Sequence, residues 1–155
     1  MITSVDTNIL LDILLPDESY LKSSKALLDE YIVKGQLIIC EIVYSELASQ
    51  FISEKDLKDF LSDTGIRLVH SNEKSLYLSG ERWKQYTKNR KQTLQCPQCG
   101  KQATAVCKEC HYSFSFRHHI LSDFIIGAHA VSIADVLITR DRGFYKTYFK
   151  DVKIG

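Results

Sequence analysis

The sequence has no long apolar run and no secretory signal. Its longest apolar stretch, Ile9 to Leu15, is interrupted by Asp12 and falls well short of the ~18 residues that a membrane-spanning helix needs. The N-terminus lacks the basic start and the small-residue cleavage site of a signal peptide, because Asp6 follows almost at once. We therefore expect no membrane association and a cytoplasmic location.

Internal repeats and low-complexity tracts are also absent. The 155 residues are enough for one ordinary domain with a substantial core. Hydrophobic residues make up 45% of the chain and charged residues 25%, which is the usual composition of a globular domain. The composition shifts at residues 94–115, where four cysteines cluster. We therefore predict a single domain over residues 1–155 with an insertion at 94–115.

Short β-prone runs alternate with amphipathic stretches along the chain. The predicted strands are 2–5, 37–40, 66–69 and 136–139, with a last edge strand near 152–154. The predicted helices are 7–15, 19–34, 41–51, 55–61, 72–91 and 120–131, and a short turn contains Phe144. Strands that alternate with helices form a mainly parallel sheet that is covered on both faces, so the fold class is α/β.

Two acids directly follow predicted strands, and two lie in apolar helices. Asp6 follows the first strand and Asp141 the fourth. Ligands of an open parallel α/β sheet gather outside the carboxyl ends of its strands, so these two carboxylates can share one site. Glu46 and Asp123 lie in helices rich in apolar residues, where an unpaired acid is costly. Four such acids would repel one another and favour Mg²⁺ or Mn²⁺, which prefer carboxylate and water ligands.

Each acid also has a purely structural interpretation. Asp6 and Asp141 can cap the helix or turn that follows them. Asp123 can interact with the dipole of its own helix, and Glu46 can face solvent. A phosphatase of the haloacid-dehalogenase type would use Asp6 as its nucleophile, but such enzymes have a second aspartate two residues later, where this sequence has Asn8. Chance alone does not readily account for all four acids in these positions.

Four of the five cysteines form two CxxC pairs. Cys96 and Cys99 make the first pair, and Cys107 and Cys110 the second. Two such pairs fit tetrahedral Zn²⁺ with four sulfur ligands, a closed site that is usually structural. Iron in a rubredoxin-like site and two disulfides are the alternatives, and the expected cytoplasmic location disfavours disulfides. Cys40 lies apart in an apolar run, and we expect it to be a small buried residue.

Positive charge is concentrated around these cysteines. The segment from Arg82 to Arg117 carries a net charge of +7 and the remainder −6, which indicates a surface that binds polyanions. The candidate RNA-binding residues are Lys84, Lys88, Arg90, Lys91 and Arg117. Trp83 and Tyr86 either stack on unpaired bases or pack into the domain while the lysines solvate their helix. His118 or His119 could add a phosphate contact, but both cannot serve one site.

Four segments around the acids resemble the motifs of PIN-domain nucleases. They are VDTNILL at 5–11, YSEL at 44–47, SDFIIGAHA at 122–130 and LITRDRGF at 137–144. Their order and approximate spacing match over nearly the whole chain apart from 94–115. The last segment, a strand that ends in Thr-x-Asp and is followed by Phe, is the most specific. The resemblance implies a three-layer α/β/α PIN-like domain with a mainly parallel central sheet and a small zinc-ribbon insertion.

The resemblance also implies an activity and partners. PIN-domain nucleases hold divalent cations on acids and cleave RNA, and the matching residues here are Asp6, Glu46, Asp123 and Asp141. Asn8 and Thr139 match polar groups that orient the carboxylates. The resemblance therefore implies a Mg²⁺- or Mn²⁺-dependent endoribonuclease. Many prokaryotic members of this length are VapC-type toxins that a small antitoxin inhibits, and homodimers are common among them.

Two other functions stay open at this point. One is a zinc-ribbon module that binds RNA or protein and keeps a vestigial acidic site. The other is an rRNA-processing nuclease, because some PIN nucleases with that role carry a zinc ribbon. Their ribbon follows the last acid, whereas the cysteines here precede Asp123. The presence of all four acids favours the active endoribonuclease.

The CxxC pairs lead to a prediction about metal content. We expect one zinc ion per chain, because four thiolates complete a tetrahedral site. Elemental analysis of the dialysed protein measures it. The double variant Cys96→Ser/Cys99→Ser should lose the zinc, and Cys40→Ala should keep it. A zinc-free wild type without titratable thiols at the four positions would show two disulfides instead.

Overall fold

The computed structural model describes residues 1–15, 18–89, 94–95, 102–103, 105–111, 113–114 and 119–155. The strands are β1 (Ile2–Val5), β2 (Gln36–Ile39), β3 (Arg67–Leu68), β4 (Leu94–Gln95), β5 (Gln102–Ala103), β6 (Ala105–Val106), β7 (Ser113–Phe114) and β8 (Val136–Ile138). The helices are α1 (Thr7–Leu14), α2 (Leu21–Ile32), α3 (Glu41–Ala48), α4 (Glu54–Asp63), α5 (Glu73–Asn89), α6 (Leu121–Ile133) and α7 (Arg142–Tyr148).

The central sheet has the strand order β3-β2-β1-β8, and all three pairings are parallel. In the register of β1, Thr3 lies between Leu37 of β2 and Val136 of β8. The strands β1, β2 and β8 are short and almost wholly buried, as expected for strands of a parallel sheet that is covered on its faces, whereas the edge strand β3 is more exposed. Their carboxyl ends therefore meet along one edge of the sheet.

The helices pack on one another as well as on the sheet. α5 packs along α6, while α1 contacts both α2 and α3, and α3 also contacts α6. α6 in turn contacts β1 and β8. Among the helices of the described ranges, none is both long and apolar enough to cross a membrane.

An aromatic cluster fills the core between α5, α6 and α7. Phe124 of α6 is fully buried, and its ring centroid lies 5.0 Å from that of Phe144, 5.4 Å from that of Trp83 and 5.5 Å from that of Tyr86. Edge-to-face contacts of this kind stabilise a core beyond the area that they bury. Because Tyr86 is buried in this cluster, it is not available to stack on RNA bases.

The prediction of an α/β fold with a mainly parallel sheet is confirmed, and the differences lie at the C-terminal end. The predicted turn around Phe144 is the helix α7, which begins after Asp141 because the Asp141 carboxylate accepts a hydrogen bond from the Phe144 N–H at 3.2 Å. The predicted edge strand near 152–154 is reduced to a parallel bridge between Leu137 and Ile154.

Within residues 94–115, the predicted insertion, the described residues form two antiparallel pairs. β4 pairs with β5, and β6 pairs with β7. Cys107 and Cys110 lie on the connection between β6 and β7 and are not joined by a disulfide. Cys96 and Cys99 lie outside the described residues, so the four-cysteine zinc site and the limits 94–115 stay predictions.

The packing of α6 leads to a prediction about stability. A Cβ atom on Gly127 would lie 2.6 Å from the ring of Phe149, which is fully buried and has no room to move. Gly80 on α5 is the matched control, because a Cβ atom there meets nothing within 4 Å. Gly80→Ala should raise the free energy of unfolding by up to about 1 kcal/mol through helix propensity.

We expect Gly127→Ala to be less stable than Gly80→Ala by about 1–3 kcal/mol, the usual cost of overpacking. Denaturant unfolding of both variants measures the difference. Equal stabilisation of the two variants would show that α6 does not pack against Phe149 as described.

Candidate active site

The pairing of β1 with β8 sets the position of the first acid. Val5 lies opposite Ile138, and the Asp6 N–H donates to the Ile138 carbonyl at 3.0 Å. Asp6 therefore lies beside Thr139 at the carboxyl end of the sheet. The Thr139 hydroxyl donates to Asp6 Oδ2 at 2.6 Å. Asp6 occupies the N-cap position of α1, yet its side chain makes no capping hydrogen bond, so its carboxylate is not committed to the helix.

Asn8 joins Asp6 to the loop after β8. Its Nδ2 donates to Asp6 Oδ2 at 2.7 Å, and its Oδ1 accepts from the Arg140 N–H at 3.1 Å. The Thr139 hydroxyl oxygen also accepts from the Asp141 N–H at 3.0 Å. Asn8 and Thr139 thus fix the Asp6 carboxylate and the course of the chain towards Asp141, which is the orienting arrangement that the resemblance implies.

The second acid along the chain, Glu46, comes from α3. Because α3 packs against α1, Glu46 faces the start of α1, and the Thr7 hydroxyl donates a hydrogen bond to its carboxylate. Glu46 is half-buried, in contrast to a fully solvated surface acid. The contact holds one carboxylate oxygen of Glu46 towards Asp6.

Asp123 and Asp141 each combine a structural contact with a place in the same cleft. Asp123 Oδ2 accepts from the Ile120 N–H at 2.8 Å, next to the start of α6. Asp141 caps α7 through its contact with Phe144. Both side chains nevertheless remain partly exposed, at 35% and 48%. The capping contacts of these two acids therefore leave part of each carboxylate exposed.

All four acids line one cleft of about 420 Å³. Its remaining walls include Thr7, Asn8, Leu11, Ser49, Gln50, Ile126, Arg140 and Tyr145. In the part of the chain that the structure describes, no three Asp, Glu, His or Cys side chains converge closely enough to form a ready-made metal site. The acids thus share a cavity.

The cleft has an unbalanced negative charge. Burial raises the pKa of Asp6 from 3.8 to about 6, with smaller contributions from Asp123 and Glu46, although the hydrogen bond from Thr139 opposes this rise. Burial also raises the pKa of Tyr145 well above its ordinary value, and the charges of Asp6, Asp123 and Asp141 add to that rise. The negative charges of Asp123 and Glu46 thus add to the effect of burial on Asp6.

His119 lies beside two of the acids. From the sequence it was a candidate contact for a phosphate. Its Nδ1 lies 3.7 Å from Asp123 Oδ2 and 3.8 Å from Asp141 Oδ2. Its ring stacks on Phe144 with the centroids 4.1 Å apart. The sequence carries one signal for this contact, which is the spacing of four residues between His119 and Asp123. That spacing indicates a contact only once the start of α6 is known.

The candidate RNA-binding lysines lie elsewhere. Lys84 and Lys88 are exposed on α5 and line a separate depression with Leu76 and Tyr77. Arg90, Lys91 and Arg117 lie outside the described residues. Of the described candidates, Lys84 and Lys88 thus lie away from the walls of the acidic cleft, and the contact of all five residues with RNA stays a prediction.

Comparisons with known proteins show which solved structures share this fold. No protein-family model matches the chain, and no curated protein matches it significantly. Solved structures do match it. VapBC2 from Rickettsia felis, bound to a DNA fragment from their promoter, aligns at 18% identity and a TM-score of 0.57 over 100% of this chain and 98% of that one.

Two further solved structures are similar. VapBC-1 from nontypeable Haemophilus influenzae aligns at 17% identity and a TM-score of 0.62, over 100% of this chain and 97% of that one. FitAcB from Neisseria gonorrhoeae aligns at 18% identity and a TM-score of 0.57, over 99% and 96%. At these identities the likeness shows a shared fold over the whole chain.

The raised pKa of Asp6 leads to a prediction for the metal-free protein. The folded protein holds the proton of the Asp6 carboxyl group more tightly than the unfolded chain does. The stability that this proton contributes is therefore present below pH 3.8 and is lost as the pH rises through about 6. Asp6→Asn cannot lose this proton. We expect it to exceed the wild type in free energy of unfolding by up to about 3 kcal/mol at pH 8, and by far less at pH 4.

Urea unfolding with a chelator across this pH range measures the difference. Asp63→Asn, which removes an exposed acid outside the cleft, is the matched control. A constant difference between Asp6→Asn and the wild type at every pH would contradict the buried, desolvated position of Asp6.

Proposed function

We propose that the chain is a PIN-type endoribonuclease that depends on Mg²⁺ or Mn²⁺. The observation that carries this proposal is the meeting of Asp6, Glu46, Asp123 and Asp141 in one cleft at the carboxyl end of a parallel sheet. The four acids come from four separate parts of the chain. A purely structural set of caps would not need to share one cavity.

The residues present fit a hard divalent cation. Carboxylate oxygens are the ligands that Mg²⁺ and Mn²⁺ prefer. Asp6 is only 6% exposed, and no Lys or Arg of the described residues pairs with it, so its charge lacks a partner that a cation would supply. We propose that Asp6, Glu46, Asp123 and Asp141 hold the cations.

The chain's own groups have distinct tasks in this proposal. A bound divalent cation lowers the pKa of water and stabilises the negative charge that develops on a phosphate. Asn8 and Thr139 keep the Asp6 carboxylate in a fixed orientation through their hydrogen bonds. Thr7 does the same for Glu46, so its hydroxyl is a positioning group for that acid. The reaction class is hydrolysis of an RNA phosphodiester bond.

A toxin role is the finer part of the proposal. The sequence segments resemble VapC-type toxins, and the solved chains with the same fold come from VapBC and FitAcB structures. One likeness rests on motifs around the acids and the other on the course of the backbone. We propose that a small antitoxin protein inhibits the nuclease.

The cysteines are proposed to hold structural zinc. The backbone N–H groups of Cys110 and Glu109, together with the Cys110 thiol, donate to the sulfur of Cys107 and lower its pKa. Donation of N–H groups to a thiolate suits a zinc ligand, because the metal binds the deprotonated sulfur. Cys107 and Cys110 would provide two ligands, with Cys96 and Cys99 as the other two.

The nuclease prediction is tested with tRNA, rRNA fragments and single-stranded RNA, each incubated with Mg²⁺, Mn²⁺ or EDTA. We expect cleavage with the divalent ions, none with EDTA, and none by Asp6→Asn/Asp141→Asn. Asp63→Asn should cleave like the wild type. Lack of cleavage with every ion, while the wild type still retains RNA, would favour the zinc-ribbon binding module.

A second measurement is independent of turnover. A ligand that binds only the folded state at about 100 times its Kd stabilises it by roughly 2.7 kcal/mol. We therefore expect saturating Mn²⁺ to raise the melting temperature of the wild type and of Asp63→Asn, and to leave the double variant unchanged. An equal rise in all three proteins would place the cation outside the cleft.

A further inference from the structure

Arg140 introduces a fixed positive charge into the acidic cleft. It stands between Thr139 and Asp141, and its backbone N–H is held by Asn8 Oδ1 at 3.1 Å. Among the described residues that line the cleft, Arg140 is the one Lys or Arg. Its position next to the acids is therefore fixed by the backbone, and the direction of its side chain decides what the charge can do.

Two helices hold the Arg140 side chain. Its Nε lies 3.1 Å from Oδ2 of Asp12, an α1 residue whose side chain is 3% exposed. The same Asp12 oxygen accepts from the Ser24 hydroxyl of α2 at 2.6 Å. The guanidinium carbon also lies 4.2 Å from the ring centroid of Tyr20, within the range of a cation–π contact. A buried acid and an aromatic ring thus both contact the guanidinium.

Within the described residues, this arrangement leaves the Nη donors of Arg140 open to a ligand. The ion pair to Asp12 uses the Nε side, and no described residue accepts a hydrogen bond from either Nη atom. The side chain is 36% exposed at the cleft wall. A guanidinium presents its N–H groups as a planar fork that matches two phosphate oxygens, and holding that fork in advance lowers the entropy cost of binding.

We propose that Arg140 binds a backbone phosphate of the RNA substrate, and that Asp12 and Tyr20 are the residues that position it. This inference rests on the proposed nuclease function and names the residue that receives the polyanion. RNA that approaches the cleft meets four carboxylates, and cations offset only part of that repulsion. Arg140 attracts the strand at the same cavity wall, whereas Lys84 and Lys88 lie in a separate depression.

The alternative is a purely structural ion pair that ties α1 to the loop after β8. The two roles differ in their dependence on salt. Each phosphate contact with a single strand releases counterions and contributes about 0.7 to the slope of log affinity against log salt concentration. Loss of an internal ion pair lowers the stability of the fold but leaves that slope unchanged.

The test measures the affinity of a fluorescent single-stranded RNA oligonucleotide by anisotropy over a series of salt concentrations. Ca²⁺ replaces Mg²⁺, and a gel confirms that the oligonucleotide stays intact. We expect Arg140→Gln to weaken binding roughly tenfold to a hundredfold, the range for a lost hydrogen bond to a charged group. The salt slope should fall by about 0.7. Arg67→Gln removes the same charge from an exposed position on β3 and should change neither quantity.

A third variant separates the charge of Arg140 from the planar geometry of its guanidinium. Arg140→Lys keeps the charge without the planar fork, so we expect it to retain the slope of the wild type and lose part of the affinity. Equal affinity and slope for Arg140→Gln and the wild type would overturn the role of Arg140, while cleavage by the wild type would leave the nuclease proposal intact. Failure of the wild type itself to bind or cleave any RNA would overturn both proposals.

Discussion

The parallel pairing of β1 with β8 determines where the acids of the cleft can lie. Its register brings Asp6 next to Thr139, and the hydrogen bond between these two side chains joins chain segments 133 residues apart. Asp141 follows two residues later in the same loop. A shift of this register by one residue would turn the Thr139 hydroxyl to the opposite face of the sheet and break the contact.

Burial of the Asp6 carboxylate in the cleft costs electrostatic free energy, which favourable packing elsewhere in the domain must offset. Burial disfavours the charged form of Asp6 and raises its pKa to about 6. The aromatic cluster around Phe124 and the aliphatic strands supply the opposing free energy, because burial of apolar surface is the main favourable contribution to folding. A site that is strained in this way is typical of binding and catalytic centres, where groups with perturbed pKa values cluster. In the proposed nuclease, the cation relieves part of the cost.

Much of the fold and of the acidic site could be predicted from local sequence patterns. The alternation of apolar strands and amphipathic helices is a local signal, and acids directly after strands have a known place in a parallel sheet. The site contacts of His119 and Arg140 could not be predicted in this way. Each depends on a distant partner, such as Asp12 for Arg140, which the sequence suggested only as a break in an apolar run. The helix α7 was missed because its seven residues carry too little periodicity to separate a helix from a turn.

We propose above that the four acids hold divalent cations in one cleft. Crystals of the zinc-replete protein soaked in Mn²⁺, with anomalous diffraction recorded at the manganese edge, test it most directly. We expect anomalous density between Asp6 and Asp141, with Glu46 or Asp123 close enough to share the cation. The variant Asp6→Asn/Asp141→Asn should lose that density. Manganese bound only at surface acids, with the cleft empty in crystals of the wild type, would contradict it.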